Sequence, residues 1–121
     1  EREQAIEQLV IDINQMKENG MKRIAIITKN NAETIDLYES LKEQFSSINL
    51  IDGDGKKEIS DLVILPSYVS KGLEFDGVIA YSDKKHVYQE KDRYLFYVVC
   101  TRAQHSLTVY NQKKLVLQRE K

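Results

Sequence analysis

Residues 23–28 read Arg-Ile-Ala-Ile-Ile-Thr, and that stretch decides the class of fold. A short apolar run rich in β-branched residues, bounded by turn formers, predicts a strand buried on both faces. Ahead of it, Ile6, Leu9, Val10, Ile13 and Met16 fall at helical spacing and draw one stripe of a helix over residues 1–18. Gly20 is a natural stop for that helix. Behind the run, Asn30 and Asn31 are good N-caps for a second helix. It extends to about residue 44, with Ile35, Tyr38, Leu41, Lys42 and Phe45 in register.

Further along, residues 48–51 predict a weak strand and residues 52–57 a turn. Asp61-Leu62-Val63-Ile64-Leu65 is another apolar strand, stopped by Pro66. A loop over 67–76 leads to a strand at 78–81, and residues 82–91 are polar and loop-like. Residues 94–101, YLFYVVCT, are ambiguous; their β-branched and aromatic content favours a strand, and periodicity alone does not decide. Residues 106–110 predict a last strand and 115–119 a short helix. Alternating helices and buried strands imply an α/β fold, a parallel sheet covered on both faces.

With 121 residues, the chain is one domain with room for one core. The 18 Lys+Arg against 19 Asp+Glu leave a net charge of −1, which excludes a protein that coats nucleic acid by bulk charge. A local basic loop remains open. A single cysteine, Cys100, forms no internal disulfide and suits a reducing, cytoplasmic setting. No apolar run approaches the ~18 residues of a membrane span. The chain opens at Glu1 without Met and closes on a charged tail, so it reads as a fragment of a longer protein.

Several motifs fail on inspection. Gly55-Lys56 is followed by Lys57, and Leu50 stands where a Walker A loop begins with Gly. Asp52 and Asp54 begin like a calcium loop, but Lys56 and Val63 occupy ligand positions. His86, His105 and Cys100 share no metal-ligand spacing, and no metal site is expected. Cys100 sits in an apolar run and reads as buried filler.

Two places invite chemistry. Ser70-Lys71-Gly72-Leu73-Glu74-Phe75-Asp76 is a charged loop between buried strands: either a solvated connection or a ligand loop in which Gly72 allows close backbone approach. Arg102 ends the uncharged run 94–101. Such an arginine either snorkels, pairs with an acid, or meets an anion through its planar fork.

Lys71-Gly72-Leu73-Glu74-Phe75, followed by Tyr97-Val98-Val99-Cys100-Thr101-Arg102-Ala103, resembles motifs V and VI of superfamily 1 helicases of the UvrD/Rep type. Ala25-Ile26-Ile27-Thr28-Lys29-Asn30-Asn31-Ala32 resembles their motif IV, and the three stand in the family's order. The resemblance implies the C-terminal of two RecA-like domains, completing an ATP site whose phosphates and Mg²⁺ are held by an N-terminal RecA-like domain in cis. Arg102 matches the arginine finger and Glu74 the acid on the ATP ribose, with Gly72 beside it. Lys29 stands where motif IV carries a second γ-phosphate arginine. By the same likeness, residues 94–101 are a helix.

Departures accompany the match. Thr28 replaces the family's adenine-stacking aromatic. Pro66, Ser67 and Tyr68 replace the Thr-x-His that touches single-stranded DNA, leaving Ser67, Tyr68 and Lys71 as the expected nucleic-acid contacts. Only residues 30–70 separate Lys29 from Lys71, too few for the large insertion of UvrD and Rep. The likeness is to the compact UvrD-like class, which includes HelD-like factors that act on RNA polymerase. The implied activity is ATP-driven movement on DNA, the alternative polymerase remodelling. The chain alone, lacking Walker A and B elements, is expected to be inactive.

Overall fold

A computed structural model describes residues 2–51, 61–82, 93–110 and 114–118. In chain order the elements are α1 (Arg2–Glu18), β1 (Ile24–Thr28), α2 (Asn31–Leu41), β2 (Asn49–Leu50), β3 (Leu62–Pro66), a 3₁₀ turn (Ser67–Val69), β4 (Phe75–Tyr81), α3 (Arg93–Cys100), β5 (Ala103–Tyr110) and β6 (Lys114–Gln118). The strands form one sheet in the order β2-β3-β1-β4-β5-β6. The first five run parallel, and β6 pairs antiparallel to β5. The expected α/β architecture is observed.

The central strands alternate between two cores, because successive side chains leave a strand on opposite faces. Ile24, Ile26, Leu62, Ile64, Ile79 and Tyr81 pack under α1 and α2 with Leu9, Ile13, Met16, Leu37 and Leu41. Ala25, Ile27, Val63, Leu65, Val78 and Ala80 pack on the other face with Val99, Phe75 and Leu107. Strands wetted on neither face need apolar residues at every position, which is why β1 and β3 read as unbroken runs.

Local chemistry sets the helix ends. After α1, the Gly20 N–H donates to Lys17 O and the Met21 N–H to Met16 O, at 3.0 and 3.1 Å. This is a Schellman close, and it requires the left-handed φ of +87° at Gly20. Asn30 caps α2, its Oδ1 accepting from the Glu33 N–H at 2.9 Å. The Glu33 carboxylate returns to accept the Lys29 N–H at 3.1 Å.

Three expectations change, and one is met against local propensity. Residues 114–118 are a strand, not part of a helix over 115–119; pairing with the edge of β5 overrides the local pattern. The second helix ends at Leu41, and its buried face carries Thr34, Leu37 and Leu41, while Ile35 is exposed. Capping at Asn30 fixes that phase. β4 begins at Phe75 and β5 at Ala103, each three residues before the expected starts. Residues 94–100 are helical despite their strand-like composition, as the resemblance implies. The turn expected at 52–57, with its Walker A and calcium alternatives, lies outside the described residues, as do His86 and the loop at 83–91.

Candidate functional site

Arg102 occupies the turn where α3 gives way to β5. Its N–H donates to Val99 O at 3.1 Å, and its own carbonyl accepts the Phe75 N–H at 2.9 Å. The guanidinium is held three ways: Nε donates to Val98 O at 3.1 Å, Nη1 to Leu73 O at 3.2 Å and Nη2 to Thr101 Oγ1 at 3.1 Å. Thr101 Oγ1 in turn donates to Val98 O at 2.8 Å. All three acceptors are neutral, and among the described residues no carboxylate pairs with Arg102. A permanent positive charge is thus held by neutral acceptors with no described carboxylate against it, an arrangement suited to receiving an anion.

The loop expected to bear ligand contacts lies beside it. The Leu73 N–H donates to Ser70 O at 3.0 Å, and Gly72 between them has φ +85°. An added Cβ at Gly72 meets nothing within 4 Å, so the constraint within this chain is the backbone angle rather than crowding. Lys71 and Glu74 are both exposed. Glu74 Oε1 accepts from Gln104 Nε2 at 2.5 Å. A bulge lies beside this contact. Phe75 pairs with Ala103, but Gly77 pairs with Ser106, so Gln104 and His105 together oppose Asp76.

Asp76 secures that end of the sheet. Its Oδ2 accepts the backbone N–H groups of Lys22 and Arg23 at 2.9 and 3.2 Å, and Oδ1 lies 3.9 Å from His105 Nε2. The Lys22 N–H is the largest influence on the Asp76 carboxyl and, with Arg23 and His105, holds its pKa below the ordinary value against the opposing effect of burial. The Arg23 guanidinium lies over the Phe75 ring, 5.6 Å from its centroid. Cys100, half-buried against the second core, has its thiol pKa pushed up by burial, the behaviour of filler.

A second group forms at the opposite end of the sheet. Lys29 follows β1 at its carboxyl end. Its carbonyl accepts from Ser67 Oγ at 2.8 Å, which joins the exits of β1 and β3. Tyr68 follows and is 56% exposed, whereas Ser67 is 1% exposed. Thr28 is wholly buried, with Oγ1 2.5 Å from Thr34 Oγ1 and donating to Asn30 O at 2.9 Å. It presents nothing to an adenine ring.

Arg102, Gly72 and Glu74 are therefore brought together, and Lys29 is not with them. Thr28 is level with Tyr81 on β4, and Ala103 is level with Phe75. The strands are parallel, so the backbone levels of Thr28 and Ala103 lie about 20 Å apart along the sheet. Lys29 follows the carboxyl end of β1, and Arg102 precedes the amino end of β5. The Ser67 hydroxyl is buried and bonded to the Lys29 carbonyl, whereas Tyr68 and Lys71 are exposed. The loop 70–74 does not stay at the strands' carboxyl ends; it runs back to the amino end of β4. The orienting roles of Gln104, Thr101 and the Leu73 carbonyl have no signal in the sequence. Gln104 directly follows the Thr-Arg-Ala motif, but a bulge leaves no local signal.

Comparison with known proteins bears on this arrangement. Residues 61–110, from the start of β3 to the end of β5, match the family model of the UvrD-like helicase C-terminal domain. A search of curated proteins finds no match. Among solved structures, the chain is similar to the C-terminal domain of a possible DNA helicase from Lactobacillus plantarum WCFS1, at 30% identity and a TM-score of 0.76. The match covers 88% of this chain and 65% of that one, so the present chain spans less than two thirds of its length. Over residues 61–110 the chain is thus similar to the UvrD-like helicase C-terminal domain, and its α/β fold matches that of a solved helicase C-terminal domain.

Proposed function

We propose that this domain closes over ATP bound to an N-terminal RecA-like domain of the same protein and couples its hydrolysis to movement on DNA. The observation that carries the reading is the Arg102 guanidinium, rigidly held by three neutral oxygens with its charge uncompensated by any described carboxylate. As the γ-phosphoryl group transfers to water, negative charge spreads over its oxygens. A preorganised guanidinium stabilises that charge without first reorganising, the work of an arginine finger. Glu74, oriented by Gln104, accepts hydrogen bonds from the ribose hydroxyls, and Gly72 admits the nucleotide close to the backbone. The chain has no Walker A loop, so phosphate and Mg²⁺ binding fall to the other domain.

Lys29, Tyr68 and Lys71 serve the nucleic acid in this reading. Tyr68 is exposed for base stacking, which tolerates any sequence. Lys29 and Lys71 supply charge toward phosphates.

The test is ATP turnover by the protein that carries this chain together with its phosphate-holding domain, with and without single-stranded DNA. Turnover that rises on DNA and collapses in Arg102→Ala supports the reading. Arg102-dependent turnover indifferent to DNA, with stable capture of RNA polymerase, replaces DNA by polymerase as the partner. Turnover unchanged in Arg102→Ala overturns the finger.

A further inference from the structure

The two groups of residues at opposite ends of the sheet are joined by an unbroken series of hydrogen bonds. Lys29 O accepts from Ser67 Oγ at 2.8 Å. Ser67 O accepts twice from Ser70, from its Oγ at 2.7 Å and from its N–H at 3.1 Å. Ser70 O accepts the Leu73 N–H at 3.0 Å. Leu73 O accepts from Arg102 Nη1 at 3.2 Å. The series starts beyond the carboxyl end of β1 and finishes at the amino end of β5, crossing the face that α3 covers. Ser67 and Ser70 are 1% and 0% exposed, so water does not compete for their bonds.

We propose that Ser70 is a positioning residue that couples the nucleic-acid end of the domain to Arg102. The proposal rests on the functional reading above and adds to it the route by which the two ends communicate.

The physical case concerns what can slide. The segment from Ser67 to Glu74 contains one 3₁₀ turn and no longer regular element. Backbone bonds of the sheet do not fix it; the packing of Val69 and Leu73 on the second core and the serine contacts set its position. Ser70 is the middle link: it grips the Ser67 carbonyl with two donors and offers its own carbonyl to Leu73. A ligand that shifts Tyr68 or Lys71 moves the flanking Ser67 and Ser70. Leu73 then moves, and with it one of the three acceptors that hold the guanidinium. Val98 and Thr101 belong to α3 and its exit and stay behind. The result is a change in the aim of one side chain without any change in fold. A contiguous series of bonds establishes proximity; only perturbation establishes coupling.

Ser70→Ala is a suitable perturbation. It removes the Oγ donor and leaves the Ser70 N–H on the same Ser67 carbonyl, so no buried acceptor is orphaned and the fold is retained. Ser70→Thr keeps the hydroxyl. Both are measured in the protein carrying both domains, reading ATP turnover without DNA, turnover at saturating oligo-dT, oligo-dT affinity and thermal midpoint. The expected result for Ser70→Ala is basal turnover and oligo-dT affinity within about twofold of wild type, with DNA stimulation reduced at least about fivefold, the lower range of allosteric coupling. Ser70→Thr is expected to restore stimulation. Stimulation intact in Ser70→Ala overturns the proposal. Basal and stimulated turnover falling in equal proportion also overturns it, because the serine then serves stability alone. A wild-type protein that hydrolyses no ATP under either condition overturns the underlying functional reading instead, and so separates the two failures.

Discussion

Arg102 Nη1 donates to the Leu73 carbonyl oxygen at 3.2 Å, joining two segments that lie 29 residues apart in the chain. The contact places the end of α3 against the loop that feeds β4. It aims a charged side chain using a backbone acceptor, which every residue type at position 73 supplies.

If Arg102 acts as the proposed finger, alanine is expected to lower ATP turnover in the two-domain protein by ~10³-fold or more, in the range of arginine fingers. Nucleotide affinity should change far less, since the phosphates are held elsewhere. Arg102→Lys should fail to rescue turnover, because one ammonium does not reproduce a fork bonded at Nε, Nη1 and Nη2. Steady-state hydrolysis with calorimetric nucleotide binding checks both parts.

Glu74→Ala removes the carboxylate oriented by Gln104 at 2.5 Å. The expected outcome is a KM for ATP raised about five- to tenfold with kcat nearly kept, the signature of lost ground-state binding. Gln104→Ala should move KM the same way by less, since the carboxylate remains and only its orientation is freed.

On the nucleic-acid side, Tyr68→Ala is expected to weaken single-strand binding about tenfold with little change in its salt dependence. Lys71→Ala should lower the steepness of that salt dependence by roughly one released counterion. Fluorescence anisotropy of a labelled oligo-dT across a salt series separates the two effects.

The buried hydroxyl of Tyr110 donates to Asp12 on α1, and burial is the largest of the effects that push its pKa far above the ordinary phenol value. In the fold this phenol stays neutral, while in the unfolded chain it ionises near pH ~10. Its contribution to stability is therefore complete below about pH 10 and is lost as pH climbs beyond it. Urea unfolding of this chain should show a falling midpoint above that pH. Tyr110→Phe should flatten the fall, at a cost of about 1 kcal/mol at neutral pH from the donor lost to Asp12.

Much of this molecule was legible before any coordinates. The runs at 23–28 and 61–65 announced central strands, because a strand dry on both faces has to be apolar throughout. Leu9, Ile13 and Met16 announced the buried stripe of α1, and Gly20 and Asn30 announced helix ends through local backbone chemistry. These features rest on interactions within a few residues, which is the range over which a sequence speaks directly. Arg102, Gly72 and Glu74 were legible as one group only through their resemblance to a family.

Long-range arrangement decided the rest. β6 is a strand because β5 offers it an edge. Gln104 meets Glu74, 30 residues away in sequence, beside a bulge in β5, and the Ser67 hydroxyl meets the Lys29 carbonyl across 38 residues. Lys29 and Arg102 look like partners as motifs, yet parallel register sends them to opposite ends of the sheet. Periodicity along a chain specifies which face a residue takes. Which end of the sheet it reaches, and whom it meets there, follows from how strands pair, and pairing is a property of the assembled fold.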